Sequence, residues 1–249
     1  MEDILNTPWF DPNALDKSQE DFRNKRFDNL NIKNDFASYA IANRGDGLQG
    51  ASVNSHNLVK ALPRIKQYND ILGRTNFNRI ADIGCGLGIT TNALAEYYVN
   101  SKVTGFDVSL DAVEFATKNF PRAEFVKMAI SPSTPLPYVF DLILCQEFYP
   151  FTRTNDFDFH NSFIQHFLNH LSPNGVLLIE LSERDYNNSV MVNLNKIVTE
   201  FDTYVISFDK IYNILHNFFL SRTLSMIIGK VLSVPYNRVI IIEKSKQNK

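Results

Sequence analysis

The sequence predicts an α/β protein built on a largely parallel sheet. Three observations carry that expectation. From Arg79 onward, short apolar runs alternate with helical stretches of about ten residues. A glycine turn follows the first of these runs and opens a helix, and the 249-residue chain approaches its end on a β-branched run, Arg238-Val239-Ile240-Ile241-Ile242-Glu243.

Strands are expected near residues 79–83, 103–107, 124–128, 140–145 and 175–181, with helices near 89–99, 110–119, 160–171 and 189–201. The final run reads as a buried strand, with Tyr204 to Phe208 as its pairing partner. Upstream, Leu58, Val59, Leu62, Ile65, Tyr68, Ile71 and Leu72 recur at spacings of three and four, which predicts an amphipathic helix bent or begun at Pro63. Before it, Asn43-Arg44-Gly45-Asp46-Gly47 is a breaker cluster, and residues 1 to about 35 show no sustained periodicity. The expected division is therefore a helical cap or lid over residues 1–70 and a main domain over 71–249. The main domain carries a helical insertion at about 210–235, which either packs on the core or meets a membrane surface or a partner.

With 44% hydrophobic and 21% charged residues the chain sits near the globular average, which excludes intrinsic disorder and coiled-coil rods. Twenty-five Lys and Arg against 27 Asp and Glu leave a net charge of -2, so the broad positive field of a nucleic-acid binder is missing. Cys85 and Cys145 both lie in apolar runs and build no disulfide framework, which fits a reducing cytoplasm. Met1 to Phe10 has acids where a secretory signal would carry Lys or Arg, and no run of about 18 apolar residues predicts a membrane span.

The chemistry concentrates in Ala81-Asp82-Ile83-Gly84-Cys85-Gly86-Leu87-Gly88-Ile89. At a strand-to-helix turn the first glycine permits the bend, the second lets a ligand approach the backbone, and the third lets helix and strand pack closely. The helix N-terminus then offers N–H groups to an anion. A dinucleotide fingerprint wants G-x-G-x-x-G, but Ile89 stands where its last glycine should be. Asp107 closes the next strand, nineteen residues beyond Gly88, where a carboxylate can accept both hydroxyls of a ribose. Turn and acid together point to an adenosine-type ligand; the bland alternative is a tight turn and an unrelated loop acid.

Four segments in order, D-I-G-C-G-L-G, G-F-D-V-S, F-D-L-I-L-C-Q-E and L-S-P-N-G-V-L-L-I-E, resemble successive motifs of class I S-adenosylmethionine-dependent methyltransferases, over residues 78 to 182. The resemblance implies a Rossmann-like, seven-stranded, mostly parallel sheet with an antiparallel last strand, helices on both faces and an N-terminal helical lid. It implies S-adenosyl-L-methionine as cofactor and S-adenosyl-L-homocysteine as product, with no metal. By the same resemblance Asp82 and the turn of Gly84, Cys85, Gly86 and Gly88 would line the methionine part, with Cys145 and Gln146 on the same side. Asp107 would hold the ribose, and Val108, Met128 and Ala129 would flank adenine, although Ala129 cannot supply the hydrogen bond of the acid many relatives carry there.

Methyl transfer from a sulfonium mainly needs an acceptor held roughly 3 to 3.5 Å from the methyl carbon. The acceptor's base should stand at the carboxyl end of the fourth strand, which makes Glu147 the first candidate, against a solvated strand-end acid. His160 is a second candidate base, against a plain helix-start histidine near Asp158. Tyr149 either packs or orients an acceptor through its hydroxyl. Arg44 either pairs with the cofactor carboxylate or an anionic acceptor, or belongs to an ordinary surface loop. His166 and His170 lie four apart on one helix but lack a third ligand, so no metal is expected. Gln146 to Tyr149 does not match the Asn-Pro-Pro-Tyr type motif of adenine and glutamine N-methylating relatives, which further lowers nucleic acid as substrate. The preferred acceptor is a small molecule methylated at oxygen, such as a sugar hydroxyl or phosphoryl oxygen of a surface-polysaccharide precursor. The competing hypotheses are a non-catalytic cofactor-binding module and an NAD(P)-dependent oxidoreductase.

Overall fold

The computed structural model describes residues 58–148, 151, 157–182, 196, 204–212 and 236–244. In chain order these form α1 (Leu58–Leu72), β1 (Arg79–Ile83), α2 (Ile89–Tyr97), β2 (Lys102–Asp107), α3 (Leu110–Asn119), β3 (Glu124–Lys127) and β4 (Phe140–Gln146). Then follow α4 (Phe157–Asn169), β5 (Leu171–Ser182), β6 (Tyr204–Tyr212) and β7 (Tyr236–Lys244). The sheet order is β3-β2-β1-β4-β5-β7-β6. The first five strands run parallel, while β7 pairs antiparallel with both β5 and β6. The order reverses at β1, beside which β4 is added, and the carboxyl ends of β1 and β4 at such a switch point frame a ligand crevice.

Period-two alternation sorts each strand's side chains to two faces. Ile80, Val103, Leu142, Leu144, Val176, Leu178, Val239 and Ile241 meet Ala61, Ile65 and Tyr68 of α1 and Ala93 and Leu94 of α2. On the opposite face Ala81, Ile83, Phe106, Ile143, Cys145, Leu177, Ile179 and Ile240 pack against Phe159, Phe163 and Phe167 of α4. The 159, 163, 167 spacing lays three rings along one side of α4, where Phe148 joins them edge-to-face with Phe163 at 5.6 Å.

Element by element, α1 runs through Pro63 rather than starting at it, since Leu58–Leu72 is continuous. This helix also crosses the boundary expected at residue 70 and buries Ile65 and Tyr68 in the main core. The expected strand at 175–181 extends back to Leu171 through an irregular stretch, with a register shift opposite Phe140 and Leu142. There Gly175 is needed for close approach, because a Cβ would lie 2.8 Å from Leu171 Cβ and 3.0 Å from the Phe140 carbonyl oxygen. The expected lid up to residue 57, the 189–201 helix apart from residue 196 and most of the 210–235 insertion lie outside the described residues; Tyr204–Tyr212 is strand. Among the described residues, no helix is long and apolar enough to cross a membrane.

Candidate active site at the carboxyl edge of the sheet

The turn between β1 and α2 is tied to β2 before any ligand is considered. Gly84 N–H and Cys85 N–H both donate to the Phe106 carbonyl, at 2.8 and 3.0 Å, and Gly86 N–H donates to Asp107 Oδ2 at 2.7 Å. Asp107 Oδ1 accepts from Ser109 N–H at 2.9 Å, and the Ser109 hydroxyl caps α3 by accepting from Ala112 N–H. The acid and the turn are one hydrogen-bonded unit, and Asp107 is only 5% exposed. A carboxylate offers roughly four acceptor positions, so this bonding is compatible with receiving a ribose diol as well.

Gly84, Gly86 and Gly88 all take positive φ, at 74°, 53° and 77°. At Gly88 a Cβ would sit 2.5 Å from Phe125 and 2.7 Å from Ala116, so only glycine lets α2 begin against β3 and α3. Gly88 is also the N-cap of α2, and it brings no side-chain cap to the first N–H groups of that helix. Beside them Thr90 donates its hydroxyl hydrogen to Gln146 Oε1 at 2.9 Å, while buried Gln146 Nε2 meets no acceptor among the described residues. An uncapped helix end and an orphaned amide donor form a cradle for a carboxylate, which is the anion a methionine moiety carries. The residues present therefore fit the cofactor that the motifs imply.

A row of polar side chains crosses the sheet at this edge. On the face covered by α1 and α2, the apolar positions of β2, β1, β4 and β5 end in Asp107, Asp82, Gln146 and Glu180. Thr91 donates to Asp82 Oδ2 at 2.7 Å. Burial, aided by the Asp107 charge and opposed by the Thr91 bond, raises the Asp82 carboxyl to about 7. Burial, then the Asp107 and Asp82 charges, push the Cys85 thiol well up, so it stays a neutral thiol in the turn. The Asp82 shift has a thermodynamic consequence. Between pH 4 and about 7 the native chain holds a proton that the unfolded chain releases, so stability falls as pH rises through this window and levels off above it. Melting temperatures of the wild type should show this fall relative to Asp82→Asn, and parallel profiles for the two proteins would refute it.

Met128 N–H donates to the Asp107 carbonyl at 2.8 Å, which sets the residues after β3, Met128 and Ala129, beside those after β2, Val108 among them. Asp82, Gly84, Cys85, Gly86, Gly88, Asp107, Gln146 and Glu147 thus gather with them along the carboxyl ends of β1 to β4. Glu147 follows β4 with φ 52°, and its N–H donates to the Glu180 carbonyl at 2.9 Å. His160 lies on α4 with its side chain fully buried and its ring 5.6 Å from that of Phe151. Tyr149 and Arg44 lie outside the described residues. Sequence reasoning missed Gly105, where a Cβ would lie 2.9 Å from both Cys85 Sγ and Thr91 Oγ1, and it missed the partners of Glu180 described below. A glycine inside a strand was the available signal for the first.

Comparison with known proteins bears on the same segment. The family described as a methyltransferase domain matches residues 76–219. The trans-aconitate 2-methyltransferase of Paracidovorax citrulli is 29% identical over 123 residues, covering 48% of this chain and 46% of that protein. The same-named protein of Rhodopseudomonas palustris is 29% identical over 105 residues, covering 42% and 39%. The chain thus spans less than half the length of these curated relatives. Among solved structures, the plantazolicin methyltransferase BpumL in complex with SAH superposes with a TM-score of 0.57 at 15% identity, covering 94% of this chain and 99% of that one. The N-methyltransferase NodS from Bradyrhizobium japonicum, in complex with S-adenosyl-L-homocysteine, gives 0.52 at 16% identity, covering 73% and 85%. At such identities the likeness is one of fold.

Proposed function

Since the chain belongs to the family of methyltransferase domains, we propose that it transfers a methyl group from S-adenosyl-L-methionine to an oxygen of a small-molecule acceptor. The observation that carries this reading is the bond from Gly86 N–H to Asp107, which makes the turn and the acid a single preformed receptor for a nucleoside. When bound, the cofactor supplies a methyl group on a positively charged sulfur, already activated toward displacement. Asp107 holds the ribose, while Val108, Met128 and Ala129 flank the base. Asp82, Gln146 and the N-terminus of α2 receive the amino acid end. Glu147 stands at the end of β4, where it orients the acceptor and takes its proton, and Tyr149, Arg44 and His160 are secondary candidates for contact with acceptor or cofactor. The acidic overall balance and the absence of an Asn-Pro-Pro-Tyr motif favour a small molecule over nucleic acid, and the near absence of cysteine favours work in the cytoplasm.

The acceptor is proposed to be a hydroxyl or phosphoryl oxygen of a sugar precursor. A screen of sugars, sugar phosphates, amines and carboxylic acids, trans-aconitate included, for acceptor-dependent release of S-adenosylhomocysteine tests it. Turnover confined to amines or nucleic acid would overturn the assignment to oxygen of a small molecule. With an acceptor found by this screen, Glu147→Gln should slow turnover by about 10²- to 10⁴-fold, the usual contribution of a general base, while S-adenosylhomocysteine affinity stays within about twofold. Equal loss of binding and turnover would reject the role given to Glu147.

A further inference from the structure

We propose that His170 and Thr134 are positioning residues for recognition of the cofactor's base: between them they hold the main chain that follows β3 in the arrangement from which its backbone groups read adenine. The inference rests on the reading of the cleft as an adenosyl site.

Met128 and Ala129 open the segment of residues 128–139 that joins β3 to β4. Ala129 brings only a methyl group and Met128 only a thioether, so directional hydrogen bonds from this wall to a base fall to main-chain N–H and C=O groups. Backbone discriminates between bases only where its position is fixed in advance, and within this segment neither helix nor strand fixes it.

Side chains do so instead. The Thr134 hydroxyl donates to the Ala129 carbonyl at 3.2 Å and accepts from Ser131 N–H at 3.2 Å, and it lies 2.7 Å from the buried Ser131 hydroxyl. Thr134 N–H closes the same residues into a turn by donating to the Ser131 carbonyl at 3.1 Å. Downstream, Pro135 and Pro137 have no N–H to give, so Leu136 holds the single backbone donor of that stretch. It donates to His170 Nε2 at 3.2 Å. His170 Nδ1 donates in turn to the His166 carbonyl at 2.8 Å, so the ring is the neutral tautomer with its proton on Nδ1. His170 also holds the far end of the segment, because its carbonyl accepts from Phe140 N–H at 2.8 Å. Ile130 and Leu136, 5% and 6% exposed, sink into the core on either side of the turn. Their burial is non-directional and keeps the segment down, whereas the bonds made by Thr134 and His170 set how its peptide groups face.

Calorimetry with S-adenosylhomocysteine and with S-inosylhomocysteine, in which a carbonyl replaces the amino group of the base, tests this. The wild-type chain should bind the adenosyl ligand the more tightly. Thr134→Val keeps the side-chain shape without the hydroxyl, and His170→Phe keeps a ring without the acceptor. Each should lower S-adenosylhomocysteine affinity about five- to tenfold, the scale of one hydrogen bond, while S-inosylhomocysteine affinity changes by less than about twofold. His170→Gln, whose side-chain oxygen can accept from Leu136 N–H, should restore the preference to within about twofold of wild type. A merely structural role would lower the melting temperature of these variants and leave the ratio of the two affinities alone. An unchanged ratio in folded Thr134→Val therefore overturns the proposal, even if His170→Phe does not fold. Equal affinity of the wild type for the two ligands overturns it too, with the adenosyl reading intact. Binding of neither ligand by the wild type defeats that reading itself, and this inference with it.

Discussion

Asp107→Ala is expected to weaken S-adenosylhomocysteine binding by at least about 100-fold, the largest binding effect of any single substitution in the site. Two losses combine. The ribose hydroxyls lose their acceptor, and hydrogen bonds to a charged group are worth roughly 1.5 to 3 kcal/mol each. The turn also loses its anchor, since Gly86 N–H and Ser109 N–H are left without the carboxylate oxygens that hold them at 2.7 and 2.9 Å. Asp107→Asn separates the two, because the amide keeps one acceptor oxygen, and its loss of affinity should fall between wild type and alanine. Calorimetry across the three proteins checks the order. Equal affinity in wild type and Asp107→Ala would mean the acid does not face the ligand.

Gly88→Ala is expected to destabilise the fold by about 2 to 5 kcal/mol, more than a typical substitution. The methyl group would need space already held by Phe125 and Ala116, at 2.5 and 2.7 Å, and the backbone at φ 77° disfavours any β-carbon. The neighbouring Gly84 offers a control. It is exposed, and among the described residues a Cβ there meets only the Phe148 ring, at 3.2 Å, so Gly84→Ala carries the conformational cost with little overlap. Denaturant midpoints for the two variants should differ clearly, with Gly88→Ala the less stable. Equal midpoints would show that close packing of α2 on its neighbours is not what glycine serves at position 88.

Much of this architecture was legible because period and punctuation agreed. β1 and α3 were placed at their observed bounds, 79–83 and 110–119, since each is an uninterrupted periodic segment with a turn signal at its start. The sheet partner of the terminal strand was legible for the same reason, as both segments are β-branched and aromatic. What period could not carry was the meaning of single polar residues inside apolar patterns. Tyr68 counted only as one more apolar position of α1, and Arg64 stood one residue from a buried Ile65 as an ordinary helix charge. Glu180 closed an apolar run like a strand-end acid. That these three meet, with Asn237, depends on α1 crossing β5 near its carboxyl end, a long-range contact that local pattern does not encode.

The boundary expected at residue 70 illustrates the same limit. A glycine cluster upstream suggested a separate cap, yet Ile65 and Tyr68 bury their side chains in the core shared with Val176, Leu178 and Val239. His160 is a different case: the sequence left it open between a base and a plain helix-start histidine near Asp158, whereas one residue beyond Phe159 on the aromatic stripe of α4 it is buried, a result of helix rotation that sequence does not fix.

The central claim is that this cleft is a receptor for an adenosyl sulfonium, and calorimetric titration of the wild-type chain with S-adenosylmethionine, S-adenosylhomocysteine and NAD tests it most directly. The account predicts saturable binding of both adenosyl ligands and none of NAD, because Ile89 fills the place of a dinucleotide-binding glycine and the helix end meets a carboxylate rather than a pyrophosphate. Binding of NAD with no heat from either adenosyl ligand would contradict it.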